Sequence, residues 1–116
     1  MQEEWATTQG NLGQAYWQLS GGERQDYLDR AIACFEEALQ IQTREVTPLE
    51  WAQNKHTLGL VYAKLARGNQ QHNNRQALVC YEEALSIYTA LQMPAQVSNV
   101  QRDIDHVRYV LSHGRA

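Results

Sequence analysis

Ala31-x-x-Cys34-Phe35-Glu36-Glu37-Ala38-Leu39-x-Ile41-x-Thr43 returns 46 residues later as Ala77-x-x-Cys80-Tyr81-Glu82-Glu83-Ala84-Leu85-x-Ile87-x-Thr89. The same offset carries the segment ahead of it. Trp5-Ala6 falls on Trp51-Ala52, Leu12-Gly13-x-x-Tyr16 on Leu58-Gly59-x-x-Tyr62, Leu19 on Leu65 and Gly22 on Gly68; further on, Pro48 falls on Pro94. Between residues 3–48 and 49–94, 18 of the 46 aligned pairs are identical, where unrelated stretches of ordinary composition would share roughly three. A duplication at this period points to stacked supersecondary units, each too small to bury its apolar face alone.

Each unit reads as two helices. Trp5, Leu12, Tyr16 and Leu19 recur at helical spacings and fall on one face, as do Ala31, Phe35, Ala38 and Leu39 in the following segment. Ser20-Gly21-Gly22 and Arg67-Gly68-Asn69 break the pattern between the paired helices. Thr47-Pro48-Leu49-Glu50 has the composition of a helix start, with Thr47 as cap, Pro48 in the first turn and Glu50 completing a capping box. The spacing predicts helices near 2–19, 25–45, 48–66, 73–91 and 94–112 and no strand. The last helix opens with Pro94 as the third opens with Pro48. It carries Asp105 and Arg108 in place of the motif's Gly and Tyr, the more polar character of an end cap. The expected fold is therefore all-α, an α-solenoid of antiparallel helix pairs in one domain, 1–116. Its units are about 2–47 and 48–93, with a capping helix about 94–113.

Composition bounds what such a chain does. With 43% hydrophobic and 20% charged residues it has enough apolar material for a core. Ten basic against thirteen acidic residues leave a net charge of −3, too little positive density for a nucleic-acid surface. No apolar run spans a bilayer and Met1-Gln2-Glu3-Glu4 does not resemble a leader, so a cytoplasmic location is expected.

Leu-Gly-x-x-Tyr, then Ala-x-x-x-Phe/Tyr-x-x-Ala-Leu, then Pro resembles the tetratricopeptide repeat over nearly the whole chain. Gly13 and Gly59, with the flanking alanines, would let the paired helix approach closely, while Tyr16, Tyr62, Phe35 and Tyr81 fill the space between. The long period, with Trp-Ala near each start, resembles the extended repeats of bacterial, notably cyanobacterial, multidomain proteins.

That resemblance implies a scaffold that binds a peptide or partner domain in a concave groove lined by the first helix of each unit. It implies neither an enzyme nor a cofactor. Groove positions would be Thr7, Gly10, Gln14, Trp17 and Gln18, then Gln53, His56, Leu60, Ala63 and Lys64, then Asn99, Arg102, His106 and Tyr109 from the cap. The partner-binding set expected to matter most is Gln14, Trp17, Gln18, Gln53, His56, Leu60, Lys64, Arg102 and His106. The lysine and asparagine with which one subset of the family grips a carboxylate are replaced by Gly10, Gln14, His56 and Leu60. The alternative is self-association. Two and a half units fall short of the number repeat proteins usually need, and an uncapped first helix carrying Trp5 and Leu12 could cover its open face with a second molecule or swap helices with it into a homodimer.

Individual residues divide as follows. Trp17, beside the core Tyr16, is either an exposed anchor or packs on the long loop of its own unit. Trp5 and Trp51, being repeated, are expected to be structural under the extended loops. His56, Lys64 and Arg102 compose either a modest basic strip or an ordinary solvated face, the latter favoured. Cys34 and Cys80, one helix-packing distance apart, are expected to be small buried thiols and not a disulfide. The Glu36-Glu37 and Glu82-Glu83 pairs diverge by about 100° on a helix, so they read as surface charges near arginines such as Arg24 or Arg30. His56, His72, His106 and His113 lack a ligand-spaced companion set, and no metal site is expected. Ser20-Gly21-Gly22 lacks the Lys and the preceding strand of a phosphate loop.

Overall fold

The structure, a computed structural model, describes residues 2–113. Five helices follow one another: α1 Gln2–Ser20, α2 Gln25–Ile41, α3 Pro48–Lys64, α4 Gln70–Ala90 and α5 Pro94–His113. There is no strand among the described residues. None of these helices is long and apolar enough to cross a membrane.

Helix ends depart from the periodicity where side chains found tertiary partners. α2 stops at Ile41 instead of reaching residue 45: Gln42 leaves the helix at φ −84°, ψ 102°, and its buried carboxamide accepts from Asn54 Nδ2 at 2.9 Å. α4 starts at Gln70, three residues early, because the Asn69 side chain accepts the His72 N–H at 3.0 Å and caps it. The capping box expected at α3 does not form. Thr47 stands before Pro48, but its hydroxyl turns back to the Thr43 carbonyl at 3.3 Å, an acceptor held close by the turn between α2 and α3.

Packing is closest between α1 and α2, between α3 and α4, and between α4 and α5, with α2 also lying on α3. The repeated glycines explain how the pairs approach. A Cβ on Gly13 would lie 2.8 Å from Phe35 Cε1, and one on Gly59 would lie 2.6 Å from Tyr81 Cε1. Each aromatic ring thus lies directly on the backbone of the facing helix. The turns repeat too: Gly22 at φ 79° and Gly68 at φ 78° occupy the left-handed region that side chains avoid.

Two buried clusters form the core. One joins α2, α3 and α4 through Leu28, Phe35, Leu58, Val61 and Cys80. The other joins α3, α4 and α5 through Trp51, Tyr81, Tyr88, Val100 and Ile104. Leu39 and Tyr62 pack against both and make the core continuous. The molecule measures 44 × 33 × 20 Å, and the short dimension is about two helices thick at interaxial distances of about 8–10 Å. Cys34 and Cys80 are free and buried.

The two repeated tryptophans do not share a role. Trp51 is 9% exposed, flanked by Arg44 and Lys55 at 5.7 and 5.5 Å from its ring, whereas Trp5 is 44% exposed. Along the same stripe Leu65 is 3% exposed and its counterpart Leu19 is 63% exposed. The face of α3 that carries Trp51, Leu58 and Leu65 has α2 ahead of it. Nothing among the described residues covers the equivalent face of α1.

The acidic pairs also find other partners than expected. Glu82 meets Arg108 at 2.8 Å and Glu83 meets Lys55 at 3.1 Å. Arg24 instead holds Asp26 at 2.9 Å, and Arg30 lies over the Tyr16 ring. Helix stacking brings α5 and α3 beside these glutamates, which sequence spacing does not reveal.

Candidate functional site

The first, third and fifth helices are adjacent in pairs, and between each pair there is a recess. The α1–α3 recess, about 340 Å³, is lined by Thr7, Gly10 and Gln14 from α1, Gln53 and His56 from α3, and Tyr88 at the end of α4. Much of its polar surface is already paired. Asn54 Nδ2 donates to Gln42 Oε1 at 2.9 Å, Gln42 Nε2 donates to Thr7 Oγ1 at 3.3 Å, and Thr57 Oγ1 donates to Gln14 Oε1 at 3.0 Å. Gly10 makes this possible, since a Cβ there would sit 3.1 Å from Asn54 Oδ1. These amides stitch α1, α2 and α3 together and satisfy one another inside the protein.

The α3–α5 recess is larger, about 560 Å³, with α4 as its floor. Leu60 and Lys64 come from α3, Asn74 and Tyr81 from α4, and His106 and Val110 from α5. Between the two recesses stands a hydrogen-bonded imidazole–carboxylate pair. His56 Nε2 donates to Asp103 Oδ2 at 2.7 Å, and the imidazole meets the rings of Tyr81 and Tyr88 edge-on at 5.9 and 6.4 Å between centroids. Burial pushes the Tyr81 phenol well up, with the Asp103 and then the Cys80 charge adding to it; burial also raises Tyr88. Both tyrosines therefore keep their hydroxyl protons at neutral pH and offer neutral donors.

The expected partner-binding residues divide among these places. Gln14, Gln53 and His56 line the first recess, and Leu60, Lys64 and His106 line the second. Trp17 is half-buried against the α2–α3–α4 cluster. Gln18 and Arg102 are exposed and line neither recess. The basic strip does not assemble, because the His56 imidazole faces the Asp103 carboxylate and Arg102 lines neither recess.

Among the residues of this surface that escaped the sequence reading are Gln42, Asn54, Asn74 and Asp103. Gln42 lay inside the helix drawn to residue 45, and Asn54 pairs with it only through the fold. Asp103 sits where the earlier helices have Asn11 and Thr57, an unremarkable polar series. Asn74 had a signal, since it replaces Leu28 of the first repeat.

Together the two recesses present hydrogen-bonding side chains and apolar surface. No group of three or more His, Cys, Asp or Glu among the described residues could hold a metal ion. The Cys80 thiol, pushed from 9.0 up to about 11 by burial against the opposing Lys55 charge, is not a nucleophile at neutral pH. No family model, curated protein or solved structure matches the chain.

Proposed function

We propose that the chain is a protein-interaction scaffold. Its helix pairs and fifth, capping helix stack as an α-solenoid of the tetratricopeptide kind, and a peptide or partner segment lies across α1, α3 and α5. The duplicated glycine–aromatic contacts, Gly13 on Phe35 and Gly59 on Tyr81, support the repeat. The observation that carries the binding reading is the pair of recesses formed by successive first helices, holding six of the nine residues expected to touch a partner. An extended or helical segment entering them would meet side-chain amides in the first and apolar walls in the second.

Selection of peptides from a random display library against the immobilised protein, followed by titration of the enriched sequences, tests this. Enriched peptides should bind the native protein and lose about tenfold or more in affinity to Leu60→Arg, which puts a charge on the groove wall. Failure to enrich any sequence, or enriched peptides indifferent to substitutions along α1, α3 and α5, counts against groove binding.

A second reading, self-association, draws on a separate observation. The Trp5–Leu12–Leu19 stripe of α1 is exposed while its counterparts on α3 are buried. An apolar stripe of this kind is a surface on which a second molecule would gain burial.

A further inference from the structure

The two repeats serve as controls for each other, because the same backbone position can be read twice. Three of the differences around the α3–α5 recess bear on what it can hold. The first repeat has Trp17, Leu28 and Phe35; the second has Ala63, Asn74 and Tyr81. All three residues of the second repeat line the recess.

Two of these changes add polar groups at buried positions. Asn74 is only 9% exposed and Tyr81 only 2%. Neither side chain forms a hydrogen bond with another described residue, although the adjacent Asn73 donates to the Leu65 and Arg67 carbonyls. Neither polar end is sealed from solvent, so both are open to a ligand entering the recess. In the first repeat Leu28 and Phe35 present no side-chain polar group at these positions. In the α1–α3 recess the amides pair with each other. Asn74 and Tyr81 have no such side-chain partner among the described residues.

The third change shows the shape of what is missing. In the first repeat Trp17 lies against the cluster containing Leu28, Phe35 and Val61, the counterparts of Asn74, Tyr81 and Val107. In the second repeat Ala63 stops at Cβ, and the recess remains open. Leu60, Val107 and Val110 give it apolar wall beside the polar Gln70, Asp103 and His106, and Lys64 stands at its edge without an ion pair among the described residues. An ammonium in that place suits the face of an aromatic ring, as Lys55 already lies 5.5 Å from the Trp51 ring.

We propose that the α3–α5 recess receives a tryptophan side chain of a partner peptide, seated where Trp17 seats in the first repeat, with its indole N–H meeting Asn74 and Tyr81. This rests on the groove reading and names the residue by which the groove holds its partner. An indole supplies the apolar area that Leu60, Val107 and Val110 require and the single donor that the Asn74 carbonyl oxygen lacks. A phenylalanine would fill the space and leave the amide unmet.

The probe is N-acetyl-L-tryptophanamide, titrated into isotope-labelled protein while the Asn74 side-chain amide and the Val107 and Val110 methyl resonances are followed. The expected result is a saturable shift at those three residues. N-acetyl-L-phenylalaninamide should bind about tenfold more weakly, and free indole should shift the same signals. Ala63→Trp, which fills the recess from within as the first repeat does, should abolish the shifts. Asn74→Leu and Tyr81→Phe each restore the first repeat's residue, so they should fold and should erase the preference for tryptophan over phenylalanine.

No shift at Asn74, or shifts that persist in Ala63→Trp, overturns the proposal, as does an unchanged tryptophan preference in Asn74→Leu. The display selection separates this failure from that of the groove itself. Peptides that bind Ala63→Trp as well as the native protein, without enriched tryptophan, would sink the pocket and leave the groove standing.

Discussion

A methyl group added at Gly59 would strike the Tyr81 ring at 2.6 Å and press on the Ala77 carbonyl at 3.2 Å, whereas at Gly13 its nearest neighbours are atoms of the Phe35 ring, from 2.8 Å. A ring can tilt; a helix backbone moves only with its helix. Gly59→Ala should therefore cost about 2–3 kcal/mol and Gly13→Ala somewhat less, as overpacking in a filled core does. Urea denaturation of the two variants measures this, and equal, near-zero losses would contradict the close approach. Burial at the residue scale also dictates a pH response. Cys80 is raised from 9.0 to about 11, and Tyr81, Tyr88 and Tyr62 are raised from their usual 10.0, in each case chiefly by burial. Groups raised in this way hold their protons more tightly when folded. Below about pH 9 both states are protonated and stability is unaffected; above it the unfolded chain ionises first and stability falls as pH climbs. The denaturation midpoint should be lower at about pH 10.5 than at about pH 7.5, with part of the loss removed in Cys80→Ala. A midpoint that does not move would show these groups to be solvated.

Helix starts differ in how they are closed, and the difference is testable element by element. α4 is capped by Asn69, whose side chain holds the His72 N–H at 3.0 Å, while Thr47 before α3 makes no such bond. Asn69→Ala should then cost about 1 kcal/mol, and Thr47→Ala much less. Comparable losses from both would mean that the Thr47 hydroxyl reaches a helix amide in solution. The existence and type of all five helices were legible from the 46-residue register and the apolar spacing, because periodicity reports which face of a helix is buried. Their ends were less legible. Gln42 could have continued α2 for another turn, and it leaves because Asn54, twelve residues on, offers a buried partner at 2.9 Å.

For the whole molecule the decisive feature is the contrast between two equal stripes. Trp51, Leu58 and Leu65 are covered; Trp5, Leu12 and Leu19 are among the exposed large hydrophobics. If self-association uses this face, light scattering across a wide concentration range should find a dimer that Leu19→Ser together with Trp5→Ser dissociates. A monomer at all concentrations would discard that reading and leave α1 as an open face. Replacing Trp17 is a poorer test than its exposed neighbours, since its half-buried ring belongs to the core that joins α2, α3 and α4.

Taken alone, the sequence determined the all-helical class, the number of helices, the close helix approach at Gly13 and Gly59 and the buried thiols. All of these follow from residue type and spacing, because a duplicated pattern repeats whatever burial its own segment dictates. Which duplicated residues differ in role was decided only by the tertiary structure. Trp5 and Trp51 have the same neighbours in sequence, but only Trp51 has a helix ahead of it. Tyr81 and Phe35 press on equivalent glycines, but only Tyr81 faces a recess that no side chain fills. His56 pairs with Asp103, 47 residues distant, because α3 and α5 are brought side by side. Local pattern governs what a helix can bury; stacking order governs what is present to bury it against, and that order is a property of the assembled chain.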